Sequence, residues 1–206
     1  MSELQRRIAE GEGQQLDFKF RIDDQKKIAR TLAAFANTDG GSLLIGVKDS
    51  GKIAGCNPEE EFYMIEGAAQ VFCKPAVLFE SRVIQEGHHL VMEIIVAQSQ
   101  LKHKALDENG DWKLFHRLQD QTMLANKITF LLWRYAKEGK KKAESFTPDL
   151  SKLLNLIEAH EPVSISKLYR ESKLPKNTVN EHIATLVYWE VIEREVTASG
   201  VKYRSN

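Results

Sequence analysis

The spacing of apolar residues predicts an α+β chain in two parts, a mixed-sheet domain followed by a small helical domain that ends in a hairpin. Three observations carry this. A helical stripe, Ile28, Leu32 and Phe35, stops at Asn37-Thr38-Asp39-Gly40-Gly41 and runs at once into Leu43-Leu44-Ile45-Gly46-Val47. Two strand patterns, 77–84 and 89–96, flank the turn Gln85-Glu86-Gly87. Beyond a charged stretch, three short helical patterns precede two strands around Ala198-Ser199-Gly200.

Taken in order, residues 14–20 alternate as a strand, with Leu16, Phe18 and Phe20 on one face and Asp17 and Lys19 on the other. Asp23-Asp24 starts a helix, since carboxylates favour the first turn. The Gly40-Gly41 pair ends it, because glycine tolerates the positive φ of a helix stop. The run 43–47 is a strand buried on both faces, and Ile53-Ala54-Gly55 returns as another after a turn at 49–52. Asn57-Pro58-Glu59-Glu60-Glu61 opens a helix running to Cys73. Strands at 77–84, 89–96 and 112–115 follow, and a helix over 121–137 closes the first domain. The expected division is 1–137, a charged linker at 138–147, and 148–206.

The chain has 206 residues with 29 basic and 29 acidic side chains, so its net charge exerts no global pull on nucleic acid. Any basic surface must come from local arrangement. Its two cysteines, Cys56 and Cys73, do not form a CxxC pair, which argues against a disulfide framework and a cysteine zinc site. No apolar run suits a signal peptide or a membrane span, so a soluble, cytoplasmic chain without a membrane partner is expected.

The tail has the winged-helix order: helices at 150–157, 164–172 and 176–189, then a hairpin. In such a unit the second helix of the pair enters the major groove and its first residues meet base edges. Those residues are Lys176, Asn177, Thr178 and Asn180, with Glu181 beside them; Lys202 and Arg204 of the hairpin would meet phosphates. Dimerisation or protein contact is the alternative use of the same fold.

In the first domain, Glu12, Asp17 and Asp49 are placed at strand ends where they could converge. Three carboxylates suit magnesium or manganese, and such a metal activates water for phosphodiester cleavage; Lys19 could then pair with the phosphate. The alternative is that these acids are solvated or capping groups. Lys102, His103 and Lys104 form a short basic run that, with His116 and Arg117, could face phosphate. Trp112, Trp133 and Trp189 read as core or interface anchors. The stretch from Gly41 to Lys48 departs by one residue from a phosphate loop and is apolar in its middle, so ATP is not expected.

Glu12 lies five positions before Asp17-Phe18-Lys19; Ala34–Gly41 reads Ala-Phe-Ala-Asn-Thr-Asp-Gly-Gly; Ile45–Asp49 reads Ile-Gly-Val-Lys-Asp. In these three motifs, over residues 9–130, the chain resembles the Schlafen/Alba-type DNA-binding domain. The resemblance implies a mixed-sheet core and, for bacterial members, a DNA-binding or transcriptional-regulator role. Some animal Schlafen proteins are ribonucleases whose three acids correspond to Glu12, Asp17 and Asp49. Here the second is the shorter aspartate in place of the usual glutamate, and their Cys/His zinc cluster has no counterpart. Bacterial relatives also share the segment Phe115–Thr122, which implies that Arg117 shapes the polar groove.

The expected function is nucleic-acid binding, as a DNA-binding transcriptional regulator. The alternatives are a metal-dependent endoribonuclease and a protein-binding adaptor without catalysis. DNA is the foremost partner, RNA the alternative one, and a homodimer is left open; magnesium or manganese enters only with the nuclease.

Overall fold

The computed structural model describes residues 1–142 and 145–206, which fall into two compact units, Met1–Leu124 and Ala125–Asn206. The first runs α1 (Glu3–Glu10), β1 (Leu16–Lys19), α2 (Gln25–Asn37), β2 (Gly41–Ile45), α3 (Pro58–Val71), β3 (Cys73–Lys74), β4 (Glu80–Glu86), β5 (His89–Val96), β6 (Lys104–Leu106), β7 (Trp112–Leu118) and β8 (Gln121–Leu124). One sheet has the order β1-β2-β5-β4, with β1 and β2 parallel and the other pairs antiparallel. The other, β3-β6-β7-β8, is antiparallel throughout. This mixture of helices with a mixed sheet is an α+β fold.

Helix α2 is buried almost all round, and one apolar cluster joins it to both sheets: Leu43, Ile45, Met92 and Ile94 from the first, Ala105 and Phe115 from the second. Leu44 points the other way, with Phe18 and Val91, into a smaller cluster that includes Leu4 and Ile8 of α1. Strand β2 is therefore covered on both faces, as its unbroken apolar run requires. On that outer face Glu93 is 1% exposed and ion-paired with Arg7 of α1 and Arg82 of β4. Burial alone would raise its pKa, but hydrogen bonds from Arg7, Arg82 and Ser42 outweigh burial and hold the carboxyl below its usual range.

The second unit runs α4 (Lys127–Glu138), α5 (Pro148–Glu158), β9 (Val163–Ser164), α6 (Ile165–Glu171), α7 (Lys176–Tyr188), β10 (Ile192–Thr197) and β11 (Gly200–Ser205). Its antiparallel sheet has the order β10-β11-β9. Its core joins Ile128, Leu131 and Tyr135 of α4 to Leu153, Ile157, Leu168, Ile183 and Tyr203.

Several expectations shift. The helix expected at 121–137 is strand β8 followed by α4, and α4 packs in the second unit. The β7–β8 turn holds Gln119 at φ 54° without a glycine, so no local signal marks it. Asn126 then starts α4 with a capping box to Thr129. The strand expected at 77–84 is Glu80–Glu86, and 53–55 contributes only an isolated bridge, Val47 to Ile53. Helix α1, capped by Ser2, and strands β3 and β6 were not anticipated. In the linker range 138–147, Glu138 still belongs to α4 and the Lys140 ammonium stacks on Tyr135, while Ala143 and Glu144 lie outside the described residues. No helix among the described residues is long and apolar enough to cross a membrane.

The turn between α2 and β2 shows why its glycines are needed. Gly40 has φ 71°, and a Cβ there would meet the Val96 carbonyl oxygen at 2.7 Å. Gly87, in the β4–β5 turn, has φ 61° and open space around it. Gly87→Ala should therefore cost only the left-handed penalty, about 1 kcal/mol. Gly40→Ala adds a backbone clash and should cost at least about 3 kcal/mol. Urea unfolding of the two variants checks this, and equal losses would mean that the close approach carries no energy.

Candidate functional site

Asp17 lies mid-strand in β1 and is 4% exposed. A carboxylate so buried requires partners. Lys19 brings its ammonium to 3.1 Å from Oδ1, and Arg117 of β7 brings Nη1 to 3.7 Å from Oδ2. Arg117 is itself 2% exposed. Its Nε donates to the Gly13 carbonyl at 3.1 Å and Nη2 to that of Leu16 at 3.2 Å, and its carbon Cζ lies 5.1 Å from the Phe35 ring centroid. One guanidinium thus ties the segment before β1, strand β1 and helix α2 to the second sheet.

Glu12 completes the cluster. Its carboxylate accepts the Phe18 backbone N–H at 2.8 Å, with the Lys19 ammonium 3.9 Å away. Burial first, and then a hydrogen bond shared with Asp17, push its pKa from 4.5 to about 7.

The end of α2 forms the wall of this site. Asn37 is buried, and its amide nitrogen donates to the carbonyls of His103 and Phe115 at 2.8 and 2.9 Å. Its Oδ1 accepts the His103 N–H at 2.7 Å. Thr38 Oγ1 accepts the Arg117 N–H at 3.0 Å. Gln14 bridges Asp39 and the Arg117 carbonyl, at 2.8 and 3.2 Å. The role of Gln14 had no sequence signal, because its partners are far along the chain.

The carboxylate trio expected from the sequence is not gathered. Glu12 and Asp17 meet, whereas Asp49 is exposed in the turn closed by Lys48 and Lys52. Among the described residues no group of three or more His, Cys, Asp and Glu side chains could hold a metal ion. The donor set does not fit magnesium or manganese. Both oxygens of Asp17 face cations, and Asp49, the third expected ligand, is not grouped with Glu12 and Asp17.

The expected nucleic-acid contacts divide in the same way. Arg117 is sealed inside the cluster and is not a surface phosphate contact. Lys102 turns inward to donate to the Asn37 carbonyl at 2.9 Å, and burial lowers its pKa. His103 is buried between Pro75 and Ser99, and His116 is buried as well. Lys104 is exposed. Segment 41–45 is strand β2, with its backbone paired to β1 and β5.

In the second unit, Lys176 and Asn177 are exposed at the start of α7 and Thr178 is half-buried. Asn180 is not free to read a base: it is buried, and its Oδ1 accepts the Tyr169 hydroxyl at 2.6 Å. Lys173, in the turn before α7, is exposed at φ 58°, and the sequence made only its turn role legible. Arg204 pairs with Glu193 across the hairpin, and Lys202 lies opposite Glu195. The hairpin face thus offsets much of its own positive charge.

Two outcomes follow from the cluster. A carboxyl whose folded pKa is raised binds more protons when folded than when unfolded, so its contribution to stability declines between pH 4.5 and about 7. Glu12→Gln keeps the Phe18 acceptor and offers Asp17 an N–H, imitating the protonated acid. Urea midpoints should match wild type at pH 4 and exceed it at pH 8; a deficit at pH 8 overturns the raised Glu12 pKa. Asn37→Ala should cost at least about 2 kcal/mol by leaving buried backbone groups unpaired, measured by the same unfolding at pH 7.

No curated protein matches this chain. Among solved structures, the DIP2311 protein from Corynebacterium diphtheriae is similar over 92% of this chain, at 18% identity and a TM-score of 0.46; this chain covers 34% of that one. The N-terminal domain of a RecG-related protein from Nitrosomonas europaea is similar at 22% identity and a TM-score of 0.41, covering 55% of this chain and 82% of that one. A Listeria innocua protein of unknown function is similar at 26% identity and a TM-score of 0.29, over 39% of this chain and 53% of that one. The model of the Schlafen, AlbA_2 family matches residues 12–126, from the Glu12 beside Asp17 to the Asn126 that caps α4, and the chain belongs to that family.

Proposed function

We propose that the chain is a nucleic-acid-binding protein, a cytoplasmic DNA-binding transcriptional regulator whose second unit is a winged helix-turn-helix reader. The observation that carries the reading is the start of α7. Lys173, Lys176 and Asn177 are exposed there, and the helix begins at Pro175 with no side-chain cap. Its first N–H groups and the positive end of its dipole are open to a phosphate, and the lysines add charge. The α6–turn–α7 order, followed by the β10–β11 hairpin, supports a major-groove approach. Asn177 is the base-reading candidate, since an amide can make a bidentate contact to adenine. The expected hairpin contacts contribute little, because Lys202 and Arg204 lie opposite Glu195 and Glu193.

The endoribonuclease reading has one observation in its favour, the Glu12 carboxyl held near neutrality beside Asp17. The cationic closure of Asp17 weighs against it.

Binding of labelled duplex DNA across a salt series tests the leading reading. Wild type should bind with a steep salt dependence, and Lys176→Ala should lower the slope of log K against log salt by about 1. Structured RNA incubated with manganese should remain intact. Cleavage that disappears in Asp17→Ala would replace the regulator with a nuclease, and no binding to duplex at low salt would leave the adaptor.

A further inference from the structure

Strand β3 has only two residues and forms an edge of the second sheet. Cys73 enters the core, so alternation turns Lys74 outward. Its register partner on β6 is Lys104, which is exposed as well. Like charges directly opposite on neighbouring strands repel. Folds ordinarily offset such a pair with a nearby acid, and three acids lie in the adjoining β6–β7 turn. Each is engaged elsewhere. Asp111 holds Lys113 at 3.2 Å, Glu108 holds Arg30 at 3.5 Å, and Asp107 accepts the N–H groups of Asn109 and Asp111. Among the described residues, no ion pair includes Lys74 or Lys104.

The Lys74 ammonium lies instead 4.3 Å from the centroid of the half-buried Trp112 ring on β7. Trp112 is opposite Leu106 and Lys104 is opposite Leu114, so the register places Lys74, Lys104 and Trp112 on one sheet face. This face carries two unneutralised ammonium groups and an indole. The sequence conceals it, because Lys74 and Lys104 are thirty positions apart and Trp112 reads as a core anchor.

The geometry points to a second nucleic-acid contact, on the Schlafen-type unit itself: Lys74 and Lys104 bind the phosphates of a single strand, and the Trp112 ring, which Lys74 leaves when it turns to a phosphate, offers a surface on which a base stacks. Charge complementarity selects a polyanion. The indole selects one with aromatic bases, since stacking tolerates any base but needs it unpaired. This rests on the nucleic-acid reading above but not on α7.

The test uses the full chain with a labelled oligothymidylate and a duplex, at about 50 and about 200 mM salt. The variant is Lys74→Gln with Lys104→Gln. Its affinity for the single strand should fall at least about tenfold at the lower salt, and the salt slope should fall by about 1.4, two phosphate contacts' worth. Duplex binding should hardly change, whereas Lys176→Ala should lower duplex binding and spare the single strand. The melting temperature of the double variant should stay close to that of wild type, because the lost Lys74–Trp112 contact and the relieved Lys74–Lys104 repulsion oppose one another, so lost binding with an unchanged melting temperature is not unfolding. Unchanged affinity and slope for the single strand overturn the site. So does equal displacement of the strand by polyglutamate of matched charge, which would show a generic polyanion surface. Wild type that binds duplex but no single strand overturns this site alone; wild type that binds neither overturns it together with the regulator reading.

Discussion

The buried amide of Asn37 is the constraint on which the first unit depends. It ends the central helix α2 and makes three hydrogen bonds to the backbone of His103 and Phe115, in and before the second sheet. Without them two carbonyls and an N–H in the core would lack partners, a far larger loss than the net gain of forming them from water. The adjoining residues extend the same joint. Thr38 holds the Arg117 backbone, and Gly40 allows the chain to turn against Val96 into β2. The motif Asn-Thr-x-Gly-Gly is thus a structural joint first, and it builds the wall against which the charged cluster rests.

That cluster is arranged to be closed. Arg117 satisfies Asp17 and two backbone carbonyls while its guanidinium carbon lies over the Phe35 ring. Removing one member of a buried pair leaves the other's charge uncompensated, so the group stands or falls together. The opposite face of the first sheet repeats the device with Glu93 between two arginines. In both places polar groups fix which strand and helix meet, which apolar burial alone does not specify. Chemistry that needs an open metal site is poorly served by such an arrangement, whereas a rigid platform presenting surface groups is well served.

The second unit distributes its polar groups differently. Asn180 is spent inside on Tyr169, and Lys202 and Arg204 of the hairpin lie opposite Glu195 and Glu193. What remains outward at the start of α7 is cationic and uncapped. A chain with zero net charge can still present local positive surfaces, because its charges are unevenly placed over the surface.

The sequence by itself determined the α+β class, the central helix, its glycine stop, the doubly buried strand that follows and the family motifs. These are patterns of near neighbours, carried by periods of two and of about 3.6 residues and by the conformational freedom of glycine. It also placed the two consecutive helices α6 and α7 and the closing hairpin. Only the tertiary structure decided which distant residues meet. Arg117 reaches Asp17 across one hundred positions, Lys102 turns inward while Lys104 faces out, and Asp49 stays apart from Glu12 and Asp17. It also assigned α4 to the second unit and set Lys74 against Lys104. Local periodicity says which face of an element is apolar, but not which partner covers it or which charges that partner brings. Those follow from sheet register and chain crossing, and they decide whether an ionisable side chain is sealed in or presented outward.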